Sequence, residues 1–353
     1  MAALPRRGAL FALCSAILFG ATTPFAKALV GSIHPAVLAG LLYLGSGAGL
    51  LAYRVVQNLS GAGQSHHEHL GLRGSMWLGA AILSGGVLGP LLLMVGLTNT
   101  LASTASLLLN LEGVFTALLA WFVFRENFDF RIALGMGCIV AGALALSLQE
   151  SVSLAGMTGA VLVVGACFAW AVDNNLTRKV ALSDPAQIAM LKGLVAGAVN
   201  LAGGLLAGGS IPDVASIGYA AALGFFGYGL SLVLFVLALR ELGTARTGAY
   251  YSTAPFVGAV ISLIIFNDPP TLAFILAALL MGIGVWLHLT ENHEHEHEHE
   301  PLTHTHWHVH DEHHLHEHGP DDPAGEPHAH KHDHTRLRHV HGHFPDAHHE
   351  HRH

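Results

Sequence analysis

Ten stretches of this chain are each long and apolar enough to reach across a lipid bilayer, which constrains the fold more than any motif does. A spanning helix needs about 20 predominantly apolar residues. Residues 8–30, 35–54, 75–97, 103–124, 131–149, 156–178, 186–207, 216–239, 247–267 and 271–290 qualify. Lipid offers no partner to a bare peptide group, so such segments must close their hydrogen bonds internally, as helices. The expected fold class is an all-α membrane protein with ten transmembrane helices and short connections. Composition agrees: 11% of the 353 residues are charged, where a soluble chain keeps about a quarter.

The spans are not independent of one another. LEGVFTALLAWFVFRENFDFRIALGMGCIVAG, at Leu111–Gly142, returns in altered form at Thr253–Gly284. Gly113 answers Pro255, Glu126 answers Asp268 and Gly142 answers Gly284, all at the same offset. Phe19-Gly20 likewise answers Trp170-Ala171, Lys27 answers Arg178, and His34-Pro35 answers Asp184-Pro185. Each half contains five spans, an odd number, so the second copy enters the membrane upside down. The expected organisation is two inverted five-helix repeats, residues 8–149 and 156–290, followed by a tail over 291–353. Inverted repeats give many carriers an inward-open and an outward-open state of similar energy.

Lys and Arg near span ends favour the cytoplasmic side. With the N-terminus inside, the cations from Arg6 to Arg246 fall on cytoplasmic ends or loops, apart from Lys27 near an outer end and Lys192 within a span. Ten spans return the C-terminus to the cytoplasm, so a multi-pass inner or plasma membrane protein with both termini cytoplasmic is expected. Arg6, Arg7 and the apolar run after them resemble a signal peptide, but the run continues toward Val30 and reads as a retained first helix. Cys14, Cys138 and Cys167 lie in apolar runs with no CxxC spacing, and imply neither a disulfide framework nor a metal site.

LFGATTPFAK at Leu18–Lys27, FAWAVDNNLTRK at Phe168–Lys179 and the two helix-acid-helix segments resemble the EamA-type members of the drug/metabolite transporter superfamily. The resemblance covers nearly all of residues 8–290. It implies a ten-helix carrier of small molecules, often an exporter, with no ATP-binding domain, and no GxxxxGK[ST] phosphate loop occurs in the chain. Two departures are visible. A proline that such sequences often carry at the start of the fourth span is kept as Pro255 but is Gly113 in the first copy. A basic residue in the second span of a repeat is Lys192 in one copy and Leu42 in the other.

Ionisable groups at membrane depth are costly unless paired or hydrated, so each is a functional hypothesis. Glu112 lies near the middle of the fourth span, where its repeat partner is Ala254. It reads either as a core carboxyl hydrogen-bonded to a neighbouring helix or as a substrate or proton site, with Asn110 close enough along the helix to help satisfy it. Asp173 and Lys192 sit at similar depth on consecutive spans and are expected to pair, either as a structural clamp or as a gate that substrate opens. Asn174 and Asn175 extend that polar face toward a cavity. The expected substrate pathway is therefore Glu112, Asn110, Asp173, Asn174 and Lys192.

From Glu291 onward the chemistry changes. Up to Thr290 there are 12 Lys and Arg against 10 Asp and Glu, and beyond it 4 against 14. Prolines, like charges and scarce apolar residues predict disorder there. His293, His295, His297 and His299 alternate with Glu, and His304, His306, His308 and His310 follow. Neutral imidazoles in such runs suit Zn, Ni, Co or Cu. His66, His67 and His69, in the loop after the second span, lie on the same face by the charge argument.

These features predict a secondary-active carrier, an exporter of a small metabolite or related solute, working by alternating access. No cofactor is required, no nucleic acid is involved, the partners are the bilayer and a small-molecule or ion substrate, and a homodimer is open to it. A divalent-metal exporter fed by the tail is the alternative within transport. A membrane-anchored metal sensor or reservoir is the alternative from another class. An enzyme is not expected, because no nucleophile-base constellation appears in the spans.

Overall fold

A computed structural model describes residues 6–59, 71–124, 130–150, 154–180, 184–235, 237–238, 247 and 250–289, together with 294–299, 302–308, 328–334 and 337–342. The chain forms two compact units, Met1–Glu291 and Asn292–His353.

Among its described residues, the regular secondary structure of the first unit is all helical. Its helices are α1 (Arg6–Val30), α2 (Pro35–Leu59), α3 (Leu72–Ala81), α4 (Gly89–Asn99), α5 (Ala102–Leu108), α6 (Leu111–Phe124), α7 (Phe130–Glu150), α8 (Leu154–Arg178), α9 (Pro185–Leu206), α10 (Val214–Gly224), α11 (Ala254–Phe266) and α12 (Leu272–Leu289). Among the described residues, seven helical stretches are long and apolar enough to cross a membrane, and Ala133–Leu146, Ala254–Phe266 and Leu272–Leu287 are shorter apolar helices. Within the ninth expected span a turn at residues 252–253 precedes Ala254–Phe266. Large apolar side chains such as Val56, Phe122, Val161 and Ile264 stand exposed on the outer faces, while Leu38, Leu42, Leu93, Met94 and Leu107 form the centre of the core.

Local sequence sets the ends. Asp184 caps α9 by accepting from the Ala186 and Gln187 amides, with Pro185 in the first turn, where its missing N–H costs nothing. Gly208, at φ +92°, closes the other end of that helix in the left-handed region, which a glycine enters without strain. Asp213 caps α10 through the Ser216 hydroxyl at 2.6 Å and the Ser216 amide at 3.0 Å, and these bonds hold its carboxyl below its usual range. A carboxyl depressed on folding adds stability above its unfolded pKa and loses it as pH falls through the lower, folded value. Protection of the amides at the start of α10, taken relative to their intrinsic exchange rate at each pH, is therefore expected to fall only in acid. Asp213→Asn, which caps without titrating, should flatten that profile.

Two helix pairs are built on glycine. A side chain at Gly40 would strike Leu201, at Gly47 Leu194, at Gly197 Leu44 and at Gly204 Val37, so α2 and α9 run antiparallel with their backbones in contact. Helices α7 and α12 do the same, with Gly142 against Ala277 and Met281 and Gly284 against Gly135 and Ile139. The Cβ of Gly197→Ala would sit 2.5 Å from the Leu44 nitrogen, whereas at Gly203, on the same helix, nothing lies within 4 Å. Gly197→Ala is expected to cost about 1–3 kcal/mol through overpacking. Gly203→Ala should be neutral or slightly stabilising, since alanine is the better helix former. Thermal unfolding in detergent of both variants checks the pair, and equal shifts would remove the close crossing.

The helices are also interrupted at corresponding places. Between α3 and α4 the chain makes a π-helical turn over Ile82–Leu88, and after α10 it makes another over Phe225–Leu230. Between α5 and α6 the helix breaks at residues 109–110, and ahead of α11 it breaks at 252–253. The chemistry of the two breaks differs. Asn110 turns its amide back to the Leu107 carbonyl, competing with the helix ladder. Thr253 bonds the Tyr250 carbonyl, and Pro255 supplies no donor to the next turn.

In the second unit, strands β1 (Glu294–His299), β2 (Leu302–His308), β3 (His328–His334) and β4 (Leu337–Gly342) form two antiparallel ladders, β1 with β4 and β2 with β3. Composition predicts disorder for this tail, and the structure differs at these four segments. The reason is period: histidine at every second position, separated in β2 by Thr and Trp, matches the alternation of a strand.

Candidate functional site

Glu112 stands in the first turn of α6, immediately after the break at 109–110. The Glu112 amide donates to the Leu109 carbonyl at 3.1 Å, and the partial positive charge at a helix start favours a carboxylate. Half-buried, Glu112 accepts a 2.8 Å bond to its Oε1 from Asn174 Nδ2 on α8. The same Asn174 amide lies 3.4 Å from the Thr116 hydroxyl, and Asn175 donates to the Ala171 and Thr116 carbonyls, fastening α8 to α6. Asn110, expected beside Glu112, is instead buried with its amide on the Leu107 carbonyl and Met281 Sδ.

Asp173 and Lys192 meet as expected. Lys192 Nζ lies 2.5 Å from Asp173 Oδ1 and donates to Thr177 Oγ1 at 2.7 Å, while the Thr177 hydroxyl donates to the same carboxylate. The side chains are 11% and 12% exposed, so the pair is largely out of solvent and held by a third group. It abuts the first π-turn, because any side chain at Gly85 would collide with the Asp173 carboxylate. At the corresponding place in the second copy, a side chain at Gly227 would collide with Thr22.

The first π-turn offers its carbonyls to the rest of the site. Pro90 lacks the N–H that would otherwise engage them. Gly85 O accepts from Tyr43 OH at 3.0 Å and Trp170 Nε1 at 2.8 Å, and Gly86 O accepts from Asn200 at 3.2 Å. Tyr43 and Trp170 belong to an aromatic cluster that links the interruptions. Phe19 packs on Trp170, Tyr228 and Tyr251 with ring centroids 6.4, 6.0 and 5.4 Å apart, and Tyr43 packs on Tyr228 at 5.1 Å. Tyr228 lies in the second π-turn and Tyr251 just ahead of the second break. Sequence reasoning misses this cluster, since aromatic residues inside apolar runs read as packing. It also misses the 2.6 Å ion pair between Arg54 and Asp184.

Among the described residues, no three His, Cys, Asp or Glu come together as a metal site. His295, His297 and His299 lie on β1 and His304, His306 and His308 on β2. His66, His67, His69, His293 and His310 lie outside the described residues.

The EamA-like transporter family matches the sequence twice, over residues 6–148 and again over 157–290. The chain belongs to that family. An uncharacterised transporter of Methanothermobacter thermautotrophicus (strain Delta H) is 29% identical to this EamA-like chain over 288 residues, covering 78% of the chain and 84% of the relative. A crystal structure of a protein superposes with a TM-score of 0.60 at 19% identity, covering 81% of this chain and 98% of the other, and shares the fold. The EamA-like protein is thus a multi-pass membrane transporter of the drug/metabolite superfamily.

Proposed function

We propose that this transporter is a secondary-active carrier of a small metabolite, an exporter by direction, working by alternating access around Glu112. Its body is ten spans in two inverted five-helix repeats, residues 8–149 and 156–290, in the cell membrane with both termini cytoplasmic. The observation that carries the reading is the matched set of interruptions, two π-turns and two helix breaks, placed alike in both halves and joined by one aromatic cluster, with Glu112 in the first turn after one of the breaks. Interrupted spans at membrane depth are tolerated where they line a cavity. Carriers built from inverted repeats place their binding sites at such points.

The antiparallel crossings of α2 with α9 and of α7 with α12 support the inversion, because each joins a span to its own counterpart. The substrate pathway runs past Glu112, Asn174 and the Asp173–Lys192 pair. Asn110 borders it only through the break that it creates.

Counterflow tests the reading. Purified protein in liposomes preloaded with each of a panel of amino acids, amines and nucleosides should concentrate the labelled form of one of them transiently against equilibrium. Downhill uptake without any counterflow would point to a pore and remove alternating access. The metal-exporter alternative predicts the same overshoot with labelled Zn or Co, and no ligand set among the described residues of the spans favours it over a metabolite.

A further inference from the structure

Two of the close helix crossings read the same from either half of the molecule. At the spacing that sets His34-Pro35 against Asp184-Pro185, Leu44 answers Leu194 and Gly47 answers Gly197. A Cβ at Gly47 would stand 2.5 Å from the Leu194 nitrogen, and one at Gly197 would stand 2.5 Å from the Leu44 nitrogen. Each contact is thus the image of the other with the repeats exchanged. The α7–α12 crossing behaves alike, because Gly135, Ile139 and Gly142 answer Ala277, Met281 and Gly284. Gly142 meets Ala277 and Met281, and Gly284 meets Gly135 and Ile139. Such reciprocity marks contacts that lie on a two-fold axis.

The junction that carries Glu112 lacks it. Glu112 on α6 and Asn174 on α8 are joined side chain to side chain at 2.8 Å. Their images are Ala254 on α11 and Thr23 on α1, and alanine has no polar side chain to offer. There the helices meet through backbone instead, with Gly20 lying against the Ala254 carbonyl.

In a carrier of inverted repeats, one half rocks against the other, and the second state is reached as each half takes up the conformation its counterpart had. A contact present together with its image survives that exchange unchanged. A contact without one has to be broken or made. We propose that the α2–α9 and α7–α12 crossings are the fixed pivots of the transport cycle, and that the halves part at the α6–α8 junction. The inference rests on the alternating-access reading above. Backbones in contact across glycine suit a pivot, because any separation there forfeits close packing along the crossing. The Arg54–Asp184 pair gains a role as well: it bridges α2 to α9 beside a pivot and stays closed throughout, as a pin and not a gate.

Distances between spin labels test the assignment. Cys14→Ala, Cys138→Ala and Cys167→Ala clear the native thiols, and labels go on exposed positions of each helix pair. Leu51→Cys with Val195→Cys reports α2 against α9, Val140→Cys with Leu279→Cys reports α7 against α12, and Gly113→Cys with Val161→Cys reports α6 against α8. Pulsed dipolar spectra are taken in liposomes without any substrate. They compare the otherwise unaltered protein with Asp173→Asn, Lys192→Met, which frees the buried ion pair. Both crossing pairs should keep one narrow distance in the two proteins, while the α6–α8 pair gains a second population displaced by several ångströms. A second population at either crossing, in the unaltered protein or the double variant, would overturn the proposal. So would an α6–α8 distance that the double variant leaves unchanged. The expected distances in a protein without counterflow would keep the pivots and sink the carrier reading, and counterflow with moving crossings would do the opposite.

Discussion

Glu112→Gln is expected to reduce transport by roughly 10- to 100-fold, the value of one charged hydrogen-bonding partner lost at a site, while the protein inserts and folds normally. Glutamine keeps the shape of the side chain, and its carbonyl oxygen can still accept the Asn174 bond. The substitution removes only the negative charge that the break at 109–110 and the first turn of α6 are arranged to hold. Asn174→Ala should have a smaller effect, because it takes away a positioning bond and leaves the charge. Native counterflow in Glu112→Gln would take this carboxylate out of the pathway.

Lys192→Ala is expected to destabilise the body by about 3–5 kcal/mol, the range for stripping one partner from a buried ion pair. The Asp173 carboxylate would remain, largely out of solvent, with the Thr177 hydroxyl still donating to it. Replacing both partners by neutral side chains of similar size, Asp173→Asn with Lys192→Met, should restore most of that loss, since paired replacement is often neutral. The double variant therefore separates two roles that the single one confounds. As a gate, the pair predicts a protein that folds well but exchanges substrate with altered rate. As a clamp alone, it predicts native flux. A Lys192→Ala protein that unfolds at the native temperature would show that the two side chains do not depend on each other.

Much of this architecture is legible in the residues because lipid imposes simple demands. Apolar length locates the spans, and recurrence of glycines and acids at fixed offset exposes the duplication. Asp173 and Lys192 announce each other because both are charged at similar depth. Glu112 could be picked out but not its partner. Asn110 is near it in sequence, yet an asparagine that breaks a helix spends its amide on its own turn, and the donor comes from α8 instead. The π-turns are harder still. Gly85, Gly86 and Pro90 read as tolerated small residues until the structure shows which carbonyls they release and that Tyr43 and Trp170 use them. In the tail, composition hides register, because nothing in a histidine-rich string says which histidine will face which.

The collisions that Gly85 and Gly227 would make show where the two halves are unlike. One glycine leans on a carboxylate bonded to a lysine, the other on the threonine Thr22, and the position matching Lys192 is Leu42. A machine that rocks about its own axis would thus meet an ionic latch on one stroke and bare van der Waals contact on the other. Its dwell times on the two sides of the membrane would then differ even without substrate, so that the resting molecule waits mostly in one posture and substrate has a single latch to lift.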